Sequence, residues 1–375
     1  MCGDAHLSNI GGFASAERQL VFDLNDFDET LPGPWEWDLK RLAASVAVAA
    51  RENGFAPRRR EAVVRRAVSE YREAIRAFAG MNTLDVWYAR ATVTDLEELL
   101  RSQARRSEIR QFDRTVAKGR RKDSARAFAK LAAHGNGDAR IVADPPLIVP
   151  VQDLVGDADA QRLERAAREL LGSYLASLSG GRRRLLERYR YADLARKVVG
   201  VGSVGTRAWV ILLLGRDSSD PLFLQVKEAA RSVLEPFVGK SEFRNQGQRV
   251  VEGQRLMQAA GDIFLGWLHA AHDLDDGRPR DFYLRQLWDS KTSADIGTMR
   301  PADMGLYARL CAWTLARAHA RSGDSMAIAG YLGSSDVFDR AITAFAEAYA
   351  DQNERDYAAL LDAIASGRVE AQTGL

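Results

Sequence analysis

Residues 197–227, KVVGVGSVGTRAWVILLLGRDSSDPLFLQVK, decide the fold. Gly200, Gly202 and Gly205, with Ser203 among them, separate two apolar runs and allow a tight hairpin whose backbone N–H groups can face phosphate oxygens. A glycine triplet alone is also compatible with a merely flexible hairpin. A dinucleotide fold would need a helix directly after the glycines. Ala208–Leu214 instead has the β-branched and leucine-rich character of a strand, which argues against that fold. Gly215–Pro221 is a turn, and Leu222–Lys227 is a second strand that ends on a lysine. A lysine at the end of a strand can meet an anion, and the helix that follows offers a carboxylate that could orient it. Glu252, within Arg249–Arg255, is the residue of choice, ahead of Glu228 and Glu235.

Outward from this hairpin the chain is mostly helical. Amphipathic spacing predicts helices over Leu39–Ala50, Arg58–Ala79, Thr94–Gln103, Asp159–Ser177 and Ser241–Ala260, and from Pro301 almost to the end. Residues 105–133 are basic and helical in propensity, Ile141–Val151 is extended, and Phe264–Trp267 and Arg280–Leu287 read as further strands. The 375 residues suffice for two lobes. With 53 basic and 51 acidic residues, the net charge of +2 gives no global field for nucleic acid. Neither a membrane-spanning run nor a signal-peptide layout is present, and Cys2 and Cys311 lack metal-ligand spacing, so a reduced cytoplasmic setting is expected.

The densest chemistry lies at the N-terminus, CGDAHLSNIGGFASAERQLVFDLNDFDETLPGPWEWDLKRL, residues 2–42. Asp4, His6, Asn9, Asp23, Asn25, Asp26, Asp28, Glu29 and Asp38 crowd around a short strand in which Leu20, Phe22 and Leu24 share one parity. Carboxylates this close must face solvent or share a cation.

Together the two stretches resemble the kinase-like superfamily, especially its aminoglycoside- and choline-phosphotransferase branch. The resemblance rests on Gly3-Asp4-Ala5-His6-Leu7-Ser8-Asn9, on Val21-Phe22-Asp23, on Asp38-Leu39 and on the glycine hairpin with Lys227. Nearly the whole chain resembles the bacterial domain-of-unknown-function family 2252, through residues 23–29 (DLNDFDE), 33–42 (GPWEWDLKRL) and 249–255 (RVVEGQR). The resemblance implies an α+β, protein-kinase-like two-lobed fold in circularly permuted order, with a small antiparallel β lobe and a large helical lobe. Residues 1–193 would form the helical lobe with its catalytic and metal-binding loops, 194–290 the nucleotide-clamping lobe, and 291–375 helices that complete the first.

It further implies transfer of a phosphoryl group from ATP, with Mg²⁺, to a hydroxyl on a small molecule or protein. Asp4 would act on the attacking hydroxyl, His6 would support the loop, and Asp38 would hold it. Asn9 and Asp23 would hold the metal, Asp26 and Asp28 would add a second metal contact or face solvent, and Lys227 would hold phosphates, oriented by Glu252. Arg280–Leu287 would hold adenine through its backbone, and residues 51–178 would contribute to the acceptor side. Two departures stand out: Cys2 replaces a histidine, and the catalytic loop precedes the glycine hairpin. The first, with the abrupt start, favours a nucleotide-binding pseudokinase or regulatory module as the alternative. A two-metal phosphoesterase is the third reading, weakened because His134, His269, His272 and His319 form no ligand motif.

Overall fold

The computed structural model describes residues 1–92, 94, 128, 131–134, 139–155, 157–198, 205–272, 277–287 and 294–371. Its organising element is a six-stranded antiparallel sheet in the order β10-β11-β9-β8-β7-β6. The strands are β6 (Ile148–Pro150), β7 (Arg190–Lys197), β8 (Ala208–Leu214), β9 (Pro221–Ala229), β10 (Gly266–Ala270) and β11 (Arg280–Gln286). Period-two alternation in β8 and β9 sorts their side chains between two cores. Trp209, Ile211, Leu213, Leu222, Leu224 and Val226 face one way; Val210, Leu212, Leu214 and Phe223 face the other. Gln225 and Lys227 continue the second parity, so they emerge where the apolar lining of that face stops.

The outer face is covered by α3 (Asp157–Leu175), whose Leu163, Ala167 and Tyr174 share a core with the sheet. The boundary expected at residue 193 is therefore displaced. β6 is an edge strand of the sheet and α3 is its lid, because an amphipathic helix buries its apolar stripe where apolar surface is offered. A small hairpin, β4 (Ala132–His134) with β5 (Ala139–Ile141), lies against the other face. The helix expected over Thr94–Gln103 falls, apart from residue 94, outside the described residues, as do Gly200, Gly202 and Ser203.

The larger body packs α1 (Trp35–Glu52), α2 (Pro57–Ala79), α5 (Pro301–Ser322), α6 (Ser325–Leu332) and α7 (Val337–Ala365) around one core. Two stretches expected to be helical from their spacing start earlier than expected, at Trp35 and Pro57, where a proline sits at or just before the first turn without losing a needed N–H. Against this body lies a three-stranded sheet, β1 (Ile10–Ala14), β2 (Leu20–Leu24) and β3 (Ala91–Thr92). A further helix, α4 (Gln246–Met257), lies between β9 and β10. The chain is thus α+β with antiparallel sheets. Among the described residues no helix is long and apolar enough to cross a membrane.

Candidate functional site

A cleft of about 840 Å³ lies between the six-stranded sheet and the N-terminal loop. Asp4, His6, Asn9, Asn25, Asp26 and Asp28 line it from below, and Gln225, Lys227, Arg285 and Gln286 from the sheet. The N-terminal stretch and the strand lysine, some 200 residues apart in sequence, meet there.

The loop is held from beneath. Asp38, expected to hold it, is buried in the first turn of α1 and accepts from the backbone N–H of Cys2 (2.7 Å) and Gly3 (3.0 Å). His319 of α5 lies 3.0 Å from the same carboxylate through Nε2, and its Nδ1 is 2.7 Å from the Tyr71 hydroxyl. Burial lowers the His319 pKa against the pull of Asp38, so the ring is neutral, with Nε2–H donated to Asp38 and Nδ1 accepting from Tyr71. Gly3 has φ +92°, and a Cβ there would stand 2.5 Å from the Glu29 carbonyl oxygen, so only glycine fits. The Cys2 thiol is kept protonated by burial and by Asp38.

The Asp4 carboxylate lines the cleft, where it accepts from Arg41 Nε at 2.8 Å and lies 3.6 Å from His6 Nε2. His6 Nδ1 accepts from the Ser8 N–H, and burial lowers its pKa, so it is a neutral support. Asn9 donates its amide nitrogen to the Asp4 carbonyl at 3.0 Å, which leaves Oδ1 as an acceptor.

Asp23 does not line the cleft, contrary to the metal role expected for it. It is buried below, where its carboxylate accepts from Arg317 of α5, from the Ala259 N–H (2.9 Å) and from the Leu24 N–H (2.8 Å). A carboxylate so occupied is structural. Asp26 and Asp28 line the cleft instead, in a turn where the Asp28 N–H donates to Asp26 Oδ1 (3.2 Å), the Thr30 N–H donates to the Phe27 carbonyl (3.0 Å) and Phe27 between them is buried.

Glu252 is not the partner of Lys227; it pairs with Arg255 at 3.0 Å, on its own helix. Asp28 replaces it, with Oδ2 2.6 Å from Lys227 Nζ and Oδ1 accepting from the Tyr283 hydroxyl at 2.7 Å. Burial disfavours the Lys227 ammonium, but Tyr283, Asp28 and Asp26 outweigh it and raise its pKa, so the lysine is charged. What α4 does supply is Arg249, buried and donating to the carbonyls of Thr30 (2.7 Å), Asp28 (2.8 Å) and Ala230 (2.9 Å). It staples the acidic loop to the exit of β9. Gly253 permits that approach, since a Cβ would stand 2.4 Å from Thr30.

Gly205, at φ +88°, is the one residue of the expected phosphate loop within the described residues. Lys197, Val198 and Thr206, which flank that loop, line the cleft. Sequence reasoning singled out Asp28 without seeing it as the partner of Lys227, and missed Tyr283, Arg249, Arg285 and Arg317. The Asp-Phe-Asp alternation at 26–28 could have exposed the first; the others lie on strands and helices with no local sign of their partner.

The family of uncharacterized proteins conserved in bacteria, DUF2252, matches residues 1–363, and the chain belongs to this family. No curated protein and no solved structure matches the chain.

Proposed function

We propose that the chain is a nucleoside-triphosphate- and Mg²⁺-dependent phosphotransferase of kinase-like type, acting on a hydroxyl acceptor. One observation carries this: Lys227 and the Asp4, Asn9, Asp26 and Asp28 side chains line a single cleft. The strand sequence supports it as well. A hairpin bordered by Gly205 joins β7 to β8, the lysine follows on β9, and a helix separates β9 from β10, the sequence of parts that clamps nucleotide phosphates in kinases. The permuted order is physically consistent, because α5 carries His319 to the base of the loop that begins at Cys2.

The chemistry asked of the protein is positioning and charge neutralisation. Lys227 would meet the phosphates, with Asp28 and Tyr283 fixing its ammonium in place. Asp4 would orient the acceptor hydroxyl and take its proton, and Arg41 fixes that carboxylate. Among the described residues no three His, Cys, Asp or Glu side chains form a metal site by themselves. Mg²⁺, however, takes one or two carboxylates and fills its other positions with water and phosphate. Asn9 Oδ1 and the Asp26 carboxylate fit that requirement, and the ion would neutralise phosphate charge.

Purified chain with Mg²⁺ and each common nucleoside triphosphate should release or transfer phosphate, and Asp4→Ala and Asp26→Ala should abolish turnover without abolishing folding. Nucleotide-dependent stabilisation with no turnover under any condition would favour the second reading, a nucleotide-binding pseudokinase. The Asp4–Arg41 pair is the observation on its side, since it occupies the base.

A further inference from the structure

The acidic loop, residues 25–34 between β2 and α1, belongs to no strand or helix, so its backbone is placed by whatever grips it. Much of that grip comes from one helix. Arg249, one turn into α4, donates to the carbonyls of Asp28 and Thr30, and Gly253, one turn further, lies against Thr30. Just past the end of α4, Gln258 donates its amide to the Leu24 carbonyl and the Ala259 N–H meets Asp23. The start of the same helix is tied to the sheet. Asp281 of β11 accepts from the Gln246 N–H (2.7 Å) and from the Asn245 amide (3.0 Å). Gly247 sits so close to β11 that a Cβ would stand 2.2 Å from the Phe282 carbonyl oxygen.

Asp28 is where these anchors reach the cleft. Its carboxylate bridges Lys227 Nζ and the hydroxyl of Tyr283, the register partner of Lys227 on β11. Its carbonyl oxygen is held by Arg249 Nη2 at 2.8 Å, and the same nitrogen holds the Ala230 carbonyl, just after β9, at 2.9 Å. One guanidinium therefore grips both the loop that carries Asp28 and the strand end that carries Lys227. Its fork of donors in fixed directions makes that possible. Arg249 is 2% exposed, its Nε goes to Gln246 Oε1 (2.8 Å), and among the described residues no carboxylate lies within ion-pair distance. A buried cation with no carboxylate is costly, and what this one secures is the placement of Asp28 against Lys227.

We infer that Arg249 is the positioning residue for Lys227, acting through the Asp28 backbone, so that the seat of α4 sets how Lys227 presents its ammonium to the cleft. The inference rests on the phosphotransfer reading for what Lys227 meets, but the arrangement exists without nucleotide and is tested without turnover. Lys227 is its own reporter. Burial favours the neutral amine; Tyr283, Asp28 and Asp26 hold it charged against both burial and Arg285. Once Asp28 drifts, the amine loses its nearest carboxylate and becomes a nucleophile at lower pH.

Acylation of the full chain by acetic anhydride at about pH 8, with the modified lysines located by peptide mass spectrometry, tests this. Lys227 of the wild type is expected to react slowly. In Arg249→Met it should react at least about tenfold faster, approaching its rate in Asp28→Asn, while the exposed Lys240 is unchanged. Arg317→Ala separates positioning from general loosening: it lowers stability without touching residues 28–30 and should leave Lys227 slow. Should Arg249→Met fail to fold, Gly253→Ala pushes Thr30 from α4 with the guanidinium retained and should quicken Lys227 by a smaller factor. Lys227 as slow as in the wild type in whichever of these two variants folds, or as fast in Arg317→Ala, would overturn the inference and leave the phosphotransfer reading standing. A chain whose Lys227 responds as expected but which never transfers phosphate would sink that reading and uphold the positioning.

Discussion

The floor and the roof of the cleft are both polar, but they spend their polar groups differently. Below, Asp23 and Asp38 are buried at 2% and 1% exposure, and each carboxylate has three donors from the protein itself. Above, Gln225 and Arg285 keep donors in hand, and Lys227 is steadied by an Asp28 that is itself a third exposed. The lesson is that carboxylates crowded into one sequence stretch divide by saturation. Those buried on three protein donors are framework, and those that line the cleft, Asp4, Asp26 and Asp28, stand where a ligand would meet them. Substitutions below should therefore cost stability, and substitutions above should cost binding and transfer.

The largest effect is expected below. Arg317→Ala leaves Asp23 buried without its cation, a loss of about 3–5 kcal/mol that thermal or urea unfolding would register. A shift under about 1 kcal/mol would break the contrast. Above, Lys227→Met should reduce phosphoryl transfer by about 10²–10³ in single-turnover assays. Its melting temperature should move far less than that of Arg317→Ala, because Asp28 can turn to water. Where the two regions join, Gly253→Ala should cost about 1–3 kcal/mol by pushing Thr30 away from α4.

The smallest effect is a pH dependence, to which His319 in the floor contributes alongside His6 in the cleft, since burial lowers both pKa values. His319 has its pKa lowered by burial, so between the ordinary histidine value and the folded one the unfolded chain binds the extra proton. This contribution is complete above about pH 6.5 and is lost as pH falls through the folded value. Unfolding measured from pH 7.5 to 5 should show that decline, and His319→Gln should lessen it, leaving the share of His6. A steeper acid loss in the variant would assign the dependence elsewhere.

Much of this was legible in the sequence because it is local. The alternation in 208–214 and 221–229 separates strand from helix, and prolines at 34 and 57 mark helix starts. Asp4, Asn9, His6 and Lys227 carry motif spacing, and the cleft gathers all four. What was misplaced depends on tertiary partners. Asp23 and Asp26 look alike in sequence, and it is distant partners, Arg317 nearly 300 residues away and the Ala259 N–H, that mark Asp23 as the buried one. Glu252 gave way to Asp28 for a similar reason: Arg255 is one turn along its own helix, while Asp28 reaches Lys227 from the opposite side of the cleft. Residues 148–178 read as part of the helical body because a helix does not announce which apolar surface it will cover.

A crystal structure of the full chain with Mg²⁺ and a non-hydrolysable nucleoside triphosphate tests the central claim most directly. The phosphates are expected between Lys227 and the Asn9–Asp26 edge, with Asp23 still bound to Arg317. A nucleotide seated elsewhere, or phosphates in the cleft that leave Lys227 untouched, would contradict the account.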